Sequence, residues 1–225
     1  MEIDLRMMSQ CADEGIGIIR LYTWNPKALS LGSHQKTDRI DSLFVKDQGI
    51  DFVHRPTGGK AVLHDRELTY AVAVPVNPGL KTLSVVESYR KITQGLISGL
   101  ALLGIEPTLA RFVPPQTISA ACFDHVSLGE PLFRGGKLIG SAQYRTARSI
   151  LQHGSLPFEL DLRQYVRCFR LSPHERDILM NRLQKSVRTL ADWKIRWEDR
   201  SDVVHALQLG FAKILDQLFE SGGTG

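Results

Sequence analysis

The stretch ELTYAVAVP, Glu67–Pro75, constrains the fold most, because the residues after it change period abruptly. It reads as a strand: aromatic, β-branched and apolar residues, bounded by polar turn signals. Ser84-Val85-Val86-Glu87 then forms a capping box, in which Ser84 and Glu87 can satisfy each other's backbone amides. That box opens a long amphipathic helix to about Leu103, closed by Gly104. Strand-like segments resume afterwards, in PLFRGGKLIGSAQYR and SILQHGSLPFELD. Strands, one long helix and strands again predict an α+β fold, with a mixed β-sheet and flanking helices sharing one core.

The other segments fit this frame. Ile3, Met7, Met8 and Cys11 recur at helical spacing. Ile18–Trp24 reads as a strand ended by Asn25-Pro26, and residues 38–48 as a helix stopped by Gly49. DFVHR is a further strand. Gly135-Gly136, between strand-like flanks, predicts a hairpin with a two-residue turn. From Leu162 the pattern is helical and basic, with a last helix from Ser201 to Phe219. No linker or repeat divides the chain, so residues 1–220 read as one domain and 221–225 as a loose tail.

Composition excludes several classes. Hydrophobic residues make up 43% and charged residues 23% of 225, an ordinary globular balance. The longest apolar run, Gly95–Ile105, is too short to span a bilayer, where about 20 residues are needed. The start is charged and shows no signal-peptide pattern. Cys11, Cys122 and Cys168 are widely spaced, without disulfide or zinc spacing, so a reducing cytoplasmic setting and no metal are expected. The net charge of +4 is uneven. Residues 134–200 hold 14 Lys/Arg against 7 Asp/Glu, which leaves the remainder acidic. Such a half fits either an acidic partner or a solvated basic surface. No helix-turn-helix or aromatic-studded basic face points to nucleic acid.

RPTGGKAVLH, at 55–64, places two glycines beside charge and directly before an apolar run. Glycine lets backbone approach a ligand closely, and exposed amides there form a cradle for anions or carbonyl oxygens. Arg55, Thr57 and Lys60 surround Gly58 and Gly59 with charge and a hydroxyl. A plain turn between strands is the other reading. The loop is neither a P-loop nor a dinucleotide fingerprint.

RPTGGKAVLHDRELTY closely resembles the signature of the lipoate/octanoate protein ligase–transferase superfamily, which shares the biotin protein ligase fold. RLYTWNPKALSLGSHQ and KLIGSAQYRTARSILQHGSLPFELD resemble further blocks of that family, in its order, and MEIDLRMM fits its opening helix. His54 stands where many members carry a second arginine. ACFDHVSLGEPLFRGGK places Cys122 fifteen positions before Lys137, and resembles the Cys-Phe-Asp segment of LipM-type octanoyltransferases.

The resemblance implies a two-step acyl transfer. Cys122 takes an octanoyl group from acyl carrier protein as a thioester. A lysine of a lipoyl-type domain, such as glycine-cleavage H protein, then takes it as an amide. It implies Lys137 as the cation that activates the thiol, and no cofactor. Two relatives' chemistries stay open: an ATP- and Mg-dependent lipoate–protein ligase, and an amidotransferase between lipoyl domains. The physical case for the cysteine is independent. A free thiol is only a few per cent ionised at pH 7, and a nearby cation raises that fraction.

Backbone amides at Gly58, Gly59 and from Gly140 through Ser141 to Ala142 are candidate oxyanion donors. Arg55 would contact a phosphate group or support the loop. His64 and His153, with Gly154 beside the latter, lie in matching blocks and would bind substrate or serve as hydrogen-bonded structural groups. Gln143 would bind a carboxamide or stabilise the hairpin. Val62, Ala71 and Ala73 are candidates for an acyl slot. Membranes and nucleic acid are not expected partners.

Overall fold

The computed structural model describes residues 1–109, 121–124 and 131–220. Its centre is β5 (Glu67–Pro75), buried along almost its whole length. Alternation of side chains across a strand explains this burial. Leu68, Tyr70, Val72 and Val74 face one core cluster, while Ala71 and Ala73 face another. β5 lies inside a four-stranded antiparallel sheet of order β1-β5-β9-β8, formed with β1 (Ile18–Tyr22), β9 (Ser149–Pro157) and β8 (Gly140–Arg145).

Each face of this sheet is covered by helix. α1 (Glu2–Glu14) packs Met7, Met8 and Cys11 onto Ala71, Ala73 and Leu151. The opposite face receives α4 (Val85–Leu102) and α7 (Arg200–Glu220), through Ile92, Leu96, Leu100, Leu207 and Phe211. The expected capping box is present on α4, and Gly104 follows the helix at φ +72°. α4 and α7 cross where both lack side chains. A Cβ on Gly210 would lie 2.3 Å from the Gly95 carbonyl oxygen.

A second, three-stranded sheet of order β3-β2-β4 comprises β2 (Ala28–Leu31), β3 (Asp51–His54), parallel to it, and β4 (Val62–His64), antiparallel. α2 (Ser42–Asp47), α5 (Leu162–Arg167) and α6 (Pro173–Ser186) belong with it, and Leu29, Val45, Tyr165, Phe169 and Leu183 share its core. The short α3 (Pro78–Lys81) precedes α4, and β6 (Thr108–Leu109) pairs with β7 (Pro131–Leu132). The α+β class and mixed strands expected from the sequence are what the chain adopts.

Two local expectations are corrected. The helix expected over 38–48 is broken: Thr37–Arg39 is a short 3₁₀ turn, and α2 starts only at Ser42. Ile40 is drawn into an extended bridge with Phe169, and the Asp41 side chain then caps α2 by accepting from the Phe44 amide. The expected hairpin is a tight turn without arms. Its two turn residues are Arg134 and Gly135, both at positive φ, rather than the glycine pair. Arg134 tolerates this conformation while its guanidinium stacks on Trp193 at 4.4 Å. The flanks diverge: β7 joins β6, the Lys137 backbone bridges to Val187, and β8 joins β9. The proposed tail, 221–225, lies outside the described residues.

Candidate active site

β2 supplies the floor. Ser30, near its end, is buried and accepts from Arg55, whose Nη1 donates to both the Ser30 carbonyl (3.1 Å) and Oγ (3.2 Å). Nη2 of the same guanidinium donates to the carbonyls of Gly58 (3.0 Å) and Lys60 (2.7 Å). One buried side chain thus curls the glycine loop around itself, and its planar fork suits several carbonyls at once. Gly59 sits at φ +94°, a conformation glycine adopts without strain. Its carbonyl packs so close to Gly32 that a Cβ there would lie 2.1 Å away. The Gly58 and Gly59 amides make no hydrogen bond among the described residues.

Cys122 is fastened to the exit of this loop. Its amide donates to the Ala61 carbonyl (3.0 Å) and to the Tyr165 hydroxyl (3.0 Å), and that hydroxyl donates to the same carbonyl (2.6 Å). Ala61 and Ala121 form a parallel bridge, and residues Cys122–Asp124 make a 3₁₀ turn. The thiol is half-buried and lies against the start of β8, where a Cβ on Gly140 would be 3.3 Å from Sγ. Burial lowers the Arg55 pKa from its ordinary value, and Cys122 and Tyr165 oppose that shift. Arg55 is therefore within electrostatic reach of the thiol. Burial likewise pushes the Tyr165 phenol well above its usual range.

A cleft gathers these groups, lined from both sheets. Ser30, Val62 and His64 come from the three-stranded sheet. Thr69, Gly140, Ser141, Ala142, His153, Gly154 and Ser155 come from the four-stranded one, and Arg55, Gly59 and Cys122 lie between.

Two hydroxyl–imidazole–carboxylate chains stand behind it. In the first, the Ser30 hydroxyl meets His64 Nε2 at 2.8 Å, and His64 Nδ1 meets Glu67 Oε1 at 3.1 Å. In the second, the Thr57 hydroxyl meets His153 Nε2 at 2.7 Å, and His153 Nδ1 meets Asp4 Oδ2 at 3.4 Å. Asp4 also accepts from Arg20 (2.7 Å) and the Tyr22 hydroxyl (3.2 Å). Burial alone would raise the Asp4 carboxyl, but hydrogen bonding and charge from His153, the N-terminus and Arg20 bring it below its usual value. Burial lowers His153, against the pull of Asp4.

The sequence-derived residues divide accordingly. Cys122, Arg55, Gly59, His64, Gly140, Ser141, Ala142, His153 and Gly154 converge on the cleft. Thr57 stands one hydrogen bond behind it, and Gly58 and Lys60 flank the loop through carbonyls bound to Arg55. Gln143 is engaged elsewhere, donating to Gln152 (3.2 Å) and accepting from Ser88 of α4 (3.1 Å). Lys137 is buried. Its amide donates to the Ser186 carbonyl and its carbonyl accepts from Arg188, and it does not line the cleft. Of the acyl-slot candidates, Val62 lines the cleft. Ala71 and Ala73 do not, because they are packed beneath α1.

Sequence reasoning missed Ser30, Asp4, Glu67 and Tyr165. Asp4 left a signal: it sits on the same helical stripe as Met7, Met8 and Cys11, where an acid needs a buried partner. Tyr165 left none.

Residues 1–212 match the family described as the lipoyl protein ligase A/B catalytic domain. The chain belongs to that family. Among curated members, a protein from Kyrpidia tusciae named octanoyltransferase LipM is 40% identical over 215 residues, covering 91% of this chain and 77% of the relative. A protein of the same name from Geobacillus kaustophilus is 38% identical, covering 90% and 76%. In the solved structures, a bipartite lipoate protein ligase from Thermoplasma acidophilum, described with its E2 lipoyl domain, superposes with a TM-score of 0.73. Its sequence identity is 20%, over 94% of this chain and 79% of its own. A lipoate-protein ligase A bound with ATP gives 0.66 at 20% identity, covering 94% and 81%. At that identity the ligase structures show the shared fold. Within the family fold, the glycine loop, Cys122 and the head of β8 meet at one cleft. Among the described residues, no helix is long and apolar enough to cross a membrane, and no group of three His, Cys, Asp or Glu is placed to hold a metal.

Proposed function

We propose that this chain is an octanoyltransferase of lipoate assembly that works through a thioester on Cys122. The observation that carries the reading is a thiol that lines one cleft with Gly59 of the glycine loop and with a buried guanidinium in electrostatic reach of it, the Gly58 and Gly59 amides making no hydrogen bond among the described residues. The LipM names of its relatives point the same way. Cys122 attacks the thioester carbonyl of octanoyl-acyl carrier protein, and the carrier thiol leaves. A lysine of a lipoyl domain, such as that of glycine-cleavage H protein, then attacks, the C–S bond breaks and the amide forms. Exchange between two thioesters is close to neutral in energy and the amide is more stable, so no ATP or metal enters.

Arg55 opposes the charge of the attacking thiolate and repels the acceptor's ammonium, which favours its neutral, nucleophilic form. The family resemblance assigns Lys137 the same role; its side chain is buried and does not line the cleft. The free amides at Gly58 and Gly59 receive the oxyanion of each tetrahedral intermediate; such donors are worth about 3–4 kcal/mol each.

Intact-mass analysis after incubation with octanoyl-acyl carrier protein tests this. Wild type is expected to gain one octanoyl group and Cys122→Ser none. An adduct that persists in the variant, or transfer that strictly requires ATP, refutes the reading.

A further inference from the structure

Forming an amide from a lysine ammonium requires removal of two protons, and the first must leave before the nitrogen can attack. We propose that Ser30, His64 and Glu67 form the relay that takes this first proton from the acceptor amine. The inference rests on the octanoyl-transfer reading above and concerns its second half.

Hydrogen-bond accounting sets the direction of the relay. A carboxylate oxygen only accepts, so the pairing of His64 Nδ1 with Glu67 Oε1 leaves Nε2 of a neutral imidazole to accept from the Ser30 hydroxyl, while Arg55 Nη1 donates to Ser30 Oγ. His64 then carries its own hydrogen on Nδ1 and donates it to Glu67 Oε1. This is the order a hydroxyl–histidine–carboxylate base requires. The imidazole is clamped by stacking on Trp24, with centroids 4.5 Å apart and an interplanar angle of 22°. Glu67 Oε1 also accepts from Thr69, itself fixed by the Trp24 indole. Glu67 Oε2 is buried and has no hydrogen-bond partner among the described residues. An unsatisfied buried carboxylate oxygen is costly. A positive imidazole next to it would offset that cost during turnover.

The second chain, Thr57–His153–Asp4, has the same form and lacks this capacity. Thr57 does not line the cleft, and Asp4 is already neutralised by Arg20. Ser30, His64 and Thr69 line the cleft together with Cys122. In the balanced step, the ammonium gives a proton to Ser30 Oγ while the Ser30 hydrogen moves to His64 Nε2. The amine nitrogen bonds to the acyl carbon, and the C–S electron pair returns to Cys122. That sulfur takes the second nitrogen-bound hydrogen, leaving an amide, a thiol and an imidazolium that later loses its proton through the open cleft.

The test compares two nucleophiles on isolated octanoyl-Cys122 enzyme in single turnovers. A small alkylamine is protonated at neutral pH and needs the base, whereas hydroxylamine is already neutral and does not. In Ser30→Ala and His64→Gln, the alkylamine rate is expected to fall on the order of 100-fold relative to the hydroxylamine rate. Glu67→Gln should shift the ratio in the same direction. If both nucleophiles slow by one common factor, the residues only shape the cleft and the relay is refuted. An unchanged ratio with normal rates refutes it as well. If wild type never acquires the octanoyl group, the transferase reading itself fails, and the relay with it.

Discussion

Arg55 shows how far one residue can govern a site. A family motif names it, but its work is set by four acceptors: the Ser30 carbonyl and hydroxyl, and the carbonyls of Gly58 and Lys60. Anion binding and loop support were both open from sequence, and the geometry gives the loop support. The three cysteines separate just as clearly. Burial raises Cys11 to about 11 and Cys168 to about 12, whereas Cys122 lines the cleft. Iodoacetamide at pH 8 is therefore expected to add one group to the native protein, on Cys122, and three after unfolding; peptide mass mapping checks this. His153 yields a stability prediction. Burial depresses its folded pKa below the unfolded value of about 6.5. The unfolded chain then binds more protons as pH falls below about 6.5, so stability conferred by neutral His153 is present above that pH and lost beneath it. Melting curves should show a fall in Tm between pH 7 and pH 5 that is shallower in His153→Gln.

At the scale of elements, β5 divides the molecule into two duties. Its Tyr70 face, under α4 and α7, is structural, and its Thr69 face opens on the cleft. α1 is more than a cover, since its Asp4 reaches Arg20, Tyr22 and His153 in one buried knot. The α4–α7 crossing depends on bare backbone. Gly210→Ala forces a methyl group to within 2.3 Å of the Gly95 carbonyl oxygen unless the helices separate. A loss of about 2–3 kcal/mol is expected, or roughly 5–10 °C in Tm, measured by calorimetry. Octanoyl transfer below the new Tm should persist, because that crossing lies on the sheet face opposite the cleft.

For the whole molecule, the two sheets matter as a pair, because neither alone brings Cys122, Arg55, His64 and His153 together. The charge asymmetry also belongs to this scale. Residues 134–200 carry the basic excess, with Arg163, Arg167, Arg170 and Lys185 exposed on or beside α5 and α6. If acidic carrier domains dock by charge, kcat/KM with octanoyl-acyl carrier protein should fall steeply as salt rises from 0.05 to about 0.5 M. The rate with a small neutral octanoyl thioester should barely change. Parallel salt dependences for the two donors would remove the steering role.

Much of this was legible in the chain itself. Strand-forming residue types marked β5, the capping box marked the start of α4, and RPTGGKAVLH with ACFDHV marked the loop and the proposed nucleophile, because each of these signals is local. What sequence missed depends on distant partners. Ile40 leaves its helix for Phe169, the turn at Arg134 loses its arms to β6 and Val187, and Gln143 bonds toward α4 instead of the cleft. Ser30 and Glu67 gain meaning only when β2, β4 and β5 bring them to either side of His64. A local pattern can specify an element and a reactive residue. The hydroxyl–imidazole–carboxylate chain and the guanidinium in reach of the sulfur are properties of packing, where residues far apart in the chain lose water together and must satisfy one another.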